Sequence, residues 1–229
     1  MNKRLIAAAA DSSLRSVGRL RLPVVHLSCS FDSLREPSNE VSGGILAVGG
    51  DIRYSLAGTV ADICFRHAFR AVMFGFGAAP QLETMRICGA LTARGIGVYL
   101  TEEAWLSGCG AKAVISSAVT GGSFRQMLED AVRKFGAENT VLDLERLRHS
   151  FSLPCPDGRG TFVDRLPEGE VFVSDELCCK YISRHNGKHF ILFDDVSTVR
   201  MKETAAAEYG VAEMIAMYPE WSLEEISEM

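Results

Sequence analysis

Short apolar runs alternate with amphipathic stretches along almost the whole 229-residue chain. The runs are PVVHLSCSF (23–31), GILAVGG (44–50), AVMFGFG (71–77), IGVYLTEE (96–103), KAVISSAV (112–119), NTVLDLE (139–145), HFILFDD (189–195) and AEMIAMYP (212–219). Each is about the length of a strand buried on both faces, as a parallel sheet covered by helices requires. The stretches between them carry helix grammar. TVADICFRHAFR (59–70) has apolar residues at helical spacing, and QLETMRICGALTARG (81–95) runs from Pro80 to a closing Gly95. SFRQMLEDAVRKFG (123–136) and STVRMKETAAAEYG (197–210) each open on a capping Ser and stop at a Gly. A last short helix starts at Ser222, with Glu225 at capping-box spacing.

About eight strands alternating with helices, with no break in composition, predict one α/β domain over 1–229. A single (β/α)8 TIM-like barrel, trimmed or irregular, fits the count better than the alternative, an open doubly wound sheet. The regular pattern lapses at SLPCPDGRGTFVDRLPEGE (152–170), which reads as a long loop. Beyond it, a β-hairpin is expected near 178–195, where CKYIS and HFILF flank an Asn186-Gly187 turn.

Lys plus Arg number 24 and Asp plus Glu 29, for a formal charge of −5, with no basic block. That balance argues against nucleic acid as a partner, because neutralising phosphates takes clustered cations. No stretch approaches the roughly 20 apolar residues that span a bilayer, so no membrane partner is expected. At the N-terminus, Leu5 to Ala10 is shorter than a secretory core of about 7–15 residues. It reads instead as a buried first strand or a frayed start. The seven cysteines are odd in number and scattered, without a CxxC pair. Neither a structural zinc site nor a disulfide framework is supported, and reduced thiols in the cytoplasm are expected.

Barrel active sites lie at the C-terminal ends of the strands. Here those ends carry Glu102 and Glu103, Ser116 and Ser117, Asp143 and Glu145, Asp194 and Asp195, and Glu220. A carboxylate-rich ring suits glycoside chemistry, in which a protonated carboxyl donates to the leaving oxygen. It also suits Mg²⁺. The structural alternatives are plain: Asp195 caps the helix led by Ser197, and Glu102-Glu103 occupies a strand-to-helix junction. Asp143-Leu144-Glu145 is the sharpest feature. Strand alternation puts both acids on one face with Val141, and two close like charges raise each other's pKa. The competing reading is an ion pair with Arg146 or Arg148. Gly49-Gly50-Asp51 and Thr120-Gly121-Gly122-Ser123 precede helices and read as tight turns rather than anion sites. His26 reads as a core histidine, and no GxSxG elbow supports a Ser/His/Asp triad.

From Tyr181 onward the chain resembles the C-terminal end of family 18 glycoside hydrolases, in their chitinase-like, bacterial cell-wall and spore-associated N-acetylglucosaminidase branch. The resemblance rests on Tyr181, Gly187, Phe193-Asp194-Asp195, Ser197, Lys202 and Tyr209-Gly210-Val211. Upstream, VISSAVTGGSFRQMLEDAVRKFGAENTVLDLE looks like the strand–helix–strand that leads to the family's Asp-x-x-Asp-x-Asp-x-Glu motif. The match implies Glu145 as general acid and Asp143 as the residue orienting a substrate N-acetyl group, which then serves as nucleophile in a retaining mechanism. Glu102 and Asp195 of the strand-end ring are candidate substrate contacts, as is Tyr218, which with Met217 stands near the family's last-strand Trp platform. The resemblance implies no cofactor and an N-acetylglucosamine-containing glycan as ligand. Glu138 and Val141 stand where the motif has its first two aspartates. The family's motif follows three strands, whereas five of the runs above precede Asp143. Two other readings stay open: a non-catalytic barrel serving as a binding or assembly module, and a Mg-dependent enzyme using the strand-end carboxylates.

Overall fold

Which side of a strand faces inward is decided by alternation, and in this chain the alternation sorts cleanly. A computed structural model describes residues 3–8, 24–29, 44–49, 53–76, 81–155 and 160–229. In chain order the strands are β1 (Lys3–Ala8), β2 (Val24–Cys29), β3 (Ile45–Gly49), β4 (Ala71–Phe76), β5 (Gly97–Thr101), β6 (Lys112–Ser116) and β7 (Thr140–Asp143). There follow β8 (Arg148–Ser152), β9 (Thr161–Phe162), β10 (Val171–Ser174), β11 (Cys179–Arg184), β12 (His189–Phe193) and β13 (Glu213–Tyr218). The helices are α1 (Ala57–Arg66), α2 (Gln81–Thr92), α3 (Phe124–Phe135), α4 (Val196–Glu208) and α5 (Leu223–Glu228).

Strands β1 to β7 pair in parallel, each with the next. Strand β13 joins β7 and closes onto β1, so eight parallel strands form a ring. Leu5, Ala7, Ile45, Ala47, Ala71, Tyr99, Val141 and Ile215 pack together inside it. Residues one step out of phase face the helices. Leu46, Val48, Val72, Phe74, Val98 and Leu100 pack with residues of α1 and α2. Ile6, Ala113, Ile115, Leu142 and Met214 pack with those of α3, α4 and α5. Polar groups meet at the N-terminal end of the lumen. Glu213 is buried there, accepts a hydrogen bond from Tyr99 Oη at 2.7 Å and is ion-paired with Lys112.

The barrel is present, but its membership differs from the expectation in one place. The run 189–195 is not a barrel strand; Lys3–Ala8 takes that place. A short apolar run reads alike in a parallel and an antiparallel sheet, and of the two readings of the N-terminus the first strand is the one formed. Consequently six barrel strands precede β7. The hairpin near 178–195 is β11–β12, with Asn186 and Gly187 both at positive φ (54° and 78°). It lies within a five-stranded antiparallel sheet in the order β10-β11-β12-β8-β9, inserted between the seventh and eighth barrel strands. Part of the expected 152–170 loop forms the edge strand β9 of that sheet.

Helix termini follow the sequence grammar. The Ser123 side chain accepts from Gln126 N–H, and Gly136 beyond α3 has φ 86°. Ser222 and Glu225 form a reciprocal capping box at α5. Among the described residues no helix is long and apolar enough to cross a membrane. Gly50 and Asp51, and the side chain of His26, lie outside the described residues.

Candidate active site at the strand ends

Two residues beyond Val141 the lumen-facing side of β7 reaches Asp143. The same step on β13 leads from Ile215 to Met217, and on β6 from Val114 to Ser116. Asp143, Glu145, Arg148, Phe162, Met217 and Glu220 line a cleft of about 420 Å³ together with Arg146. Strand β7 and the segments just beyond β7 and β13 therefore supply the acids, while the inserted sheet supplies Arg148 and the exposed ring of Phe162.

Burial pushes the Asp143 carboxyl up to about 7, with the negative charges of Glu145 and Glu220 adding to the effect. A carboxyl in this position holds a proton near neutral pH. Glu145 is exposed, and Ser116 Oγ donates to its Oε2 at 2.6 Å. Glu220 is also raised, by burial first and by the charges of Glu145 and Asp194, against the Arg146 N–H that donates to it at 3.0 Å and the Arg146 charge.

The arginine beside these acids is engaged elsewhere. Arg146 forms two bonds to Glu225, at 2.7 and 3.2 Å, donates to the Glu220 carbonyl at 3.0 Å, and lies 4.5 Å above the Trp221 ring. Arg148 donates to the Asp164 carbonyl at 3.1 Å. Among the described residues neither arginine is ion-paired with Asp143 or Glu145, so the competing ion-pair reading of Asp143-Leu144-Glu145 is not what is formed. The buried Nε atoms of Arg146 and Arg148 have no hydrogen-bond acceptor among the described residues.

The remaining sequence-named residues are not gathered into this cleft. Glu102 is exposed and pairs with Lys134 at 3.3 Å. Asp195 caps α4, accepting from Ser197 N at 2.9 Å and Thr198 N at 3.1 Å, and is ion-paired with Lys180. Hydrogen bonds from Lys180 and Ser197 hold its carboxyl below the usual range, against a desolvation effect that raises it. Tyr218 is half-buried against the helix-facing core. The nearby Trp221 is buried and donates to the Leu144 carbonyl at 2.6 Å, so it braces the cleft strand from behind. Sequence reasoning missed Phe162 as a lining residue, because it sat in a Pro- and Gly-rich stretch that gave no strand signal; of the two residues near the family's platform position, Met217 rather than Tyr218 lines the cleft. Among the described residues no group of three or more His, Cys, Asp or Glu is placed to hold a metal ion.

No protein-family model matches this chain, and no curated protein matches it in sequence. Solved structures do resemble it. The spore cortex-lytic enzyme SleL of Bacillus cereus superposes with a TM-score of 0.62 at 12% identity, covering 100% of this chain and 75% of that one. A family GH18 chitinase from Cycas revoluta, in complex with allosamidin, gives 0.63 at 12% identity, covering 96% and 95%. A chitinase from Rhizomucor miehei gives 0.63 at 14% identity, again covering 96% and 95%. In fold, the chain is similar to family 18 chitinases and to spore cortex-lytic enzymes, as its C-terminal residues suggested.

Proposed function

We propose that the cleft above β7 and β13 binds an N-acetylglucosamine-containing glycan and cleaves it with the Asp143–Glu145 pair. The observation that carries this reading is a carboxyl held near 7 beside an exposed, unpaired carboxylate in an open cleft. In this scheme protonated Asp143 orients the substrate's N-acetyl group, and Glu145, held by Ser116 and protonated from solvent before each cycle, gives its proton to the leaving glycosidic oxygen and takes one back from the water that opens the intermediate. The substrate's own N-acetyl oxygen attacks the anomeric carbon, and water later opens the resulting ring. Phe162 offers a flat apolar face for a sugar, and Arg148 a donor for its hydroxyls. Residues 1–229 act as one barrel domain carrying an inserted sheet. Among the described residues six cysteines are free, five of them buried, which supports a reducing, cytoplasmic setting.

The deciding experiment compares wild type, Glu145→Gln and Asp143→Asn on chitooligosaccharides and peptidoglycan fragments. Loss of turnover in both variants is expected; equal rates in all three would sink the hydrolase reading.

Two observations favour a second reading, a barrel that binds glycan without cutting it. The family motif follows three strands, yet the fourth strand here, AVMFGF, carries no acid. Val141 also fills the lumen with an apolar side chain where the motif has an aspartate. In this case wild type and Glu145→Gln both bind the oligosaccharides, and neither turns them over.

A further inference from the structure

Strand β10 is an edge of the inserted sheet: it pairs with β11 on one side and with no strand among the described residues on the other. Its side chains are unusually bare for so apolar a segment. Val171 is 48%, Phe172 38% and Val173 52% exposed. An exposed apolar edge with unpaired backbone groups is a template for another strand, and folded proteins ordinarily blunt it with Lys, Pro or a cover. Nothing of that kind lies within Val171–Ser174.

The flanks indicate what fits. Glu168 and Glu170 precede the strand and Asp175 and Glu176 follow it, all exposed and none ion-paired among the described residues. A second copy of this chain is disfavoured. Antiparallel self-pairing in the register that matches all four residues sets Glu170 opposite Asp175 at both ends, and like charges directly opposite are repulsive. A strand with an apolar centre and basic ends meets the same edge with complementary charge. Its side chains would alternate between two apolar surfaces. On one side Val171 and Val173 stand out. On the other Phe172 stacks on Tyr181 at 5.3 Å, and Tyr181 in turn lines a groove of about 720 Å³ with Phe151 and Phe190.

We infer that β10 is a docking edge for an extended peptide segment with an apolar core and Lys or Arg at both ends, added as a further antiparallel strand. Main-chain bonds supply the affinity and the acidic flanks the selection. The inference is independent of the glycan reading, because no β10 residue lines the carboxylate cleft.

A fluorescein-labelled synthetic peptide with a Val-Thr-Val-Phe core and two lysines at each end is the probe, read by anisotropy with the full chain. Saturable binding that weakens with added salt is expected. The same peptide with a central proline, which removes a strand donor, should not bind. The double variant Glu170→Lys with Asp175→Lys lies on exposed positions and should keep the circular dichroism spectrum. It should lose about tenfold in affinity for this peptide and gain affinity for one with glutamates at its ends. Equal binding of the proline peptide, or an affinity unchanged by the charge reversal, overturns the inference. So does self-association abolished by Val173→Lys in the absence of any peptide binding.

Discussion

Lys202 Nζ lies 2.6 Å from Asp194 Oδ2, with both side chains buried. The same oxygen accepts the Leu147 N–H at 3.0 Å, and Asp194 N–H donates back to the Leu147 carbonyl at 2.9 Å. This pair therefore fastens the last strand of the inserted sheet to the segment that follows Asp143 and Glu145, and fastens both to α4. A charge pair in the interior contributes little net stability but is costly to break, because the survivor is left uncompensated. Asp194→Ala should lower stability by about 3–5 kcal/mol in denaturant unfolding. Asp194→Leu combined with Lys202→Met should recover much of that loss.

Asp143 makes stability depend on pH. Its carboxyl titrates at about 7 in the fold against an ordinary 3.8, so the folded chain binds this proton more tightly than the unfolded one. The stability associated with the group is complete below about pH 4 and is lost as pH rises through about 7. Asp143→Asn removes that dependence. Relative to wild type it should gain on the order of 2–4 kcal/mol at about pH 8 and little at about pH 4, as read by thermal unfolding across pH.

Glu145 is one cause of the raised Asp143 titration, so Glu145→Gln should move it down toward the ordinary carboxylate range. Carbon-13 NMR of labelled aspartate side chains would follow the shift. A midpoint left near 7 would mean that burial and the Glu220 charge set it without Glu145.

Ser116 touches Glu145 at an exposed position. Ser116→Ala should leave stability within about 0.5 kcal/mol. It should reduce kcat/KM, or glycan affinity if the barrel only binds, by up to about tenfold, because the outer carboxylate loses its fixed rotamer.

Trp221 supports the cleft strand through a buried bond to the Leu144 carbonyl. Trp221→Phe keeps most of the packing but strands that acceptor, and should cost about 1–3 kcal/mol. Trp221→Ala adds a cavity and should cost about 3–5 kcal/mol.

The barrel was legible because its signals are local. The short apolar runs such as KAVIS and ILAVG, the Ser123 and Ser222 caps, and the stops at Gly136 and Gly210 each act within a few residues, where propensity and capping operate. Asp143 and Glu145 could be singled out by the same local spacing, and both line one cleft, although Glu145 lies just beyond the end of β7. What lay beyond reach was the pairing partner of each strand. HFILF and KRLIAA differ little in apolar content, yet one entered the antiparallel sheet and the other the barrel, because register is settled by contacts between distant segments. The environment of each acid was equally hidden. Asp194, Asp195 and Asp143 are the same residue type at similar strand ends. One is sealed against Lys202, one caps a helix, and one faces an open cleft beside two other carboxylates. Sequence by itself determined most of the barrel's strands, its helices and their caps. Only the tertiary structure decided which carboxyl keeps its proton, because that depends on burial and neighbouring charge, which the folded chain alone creates.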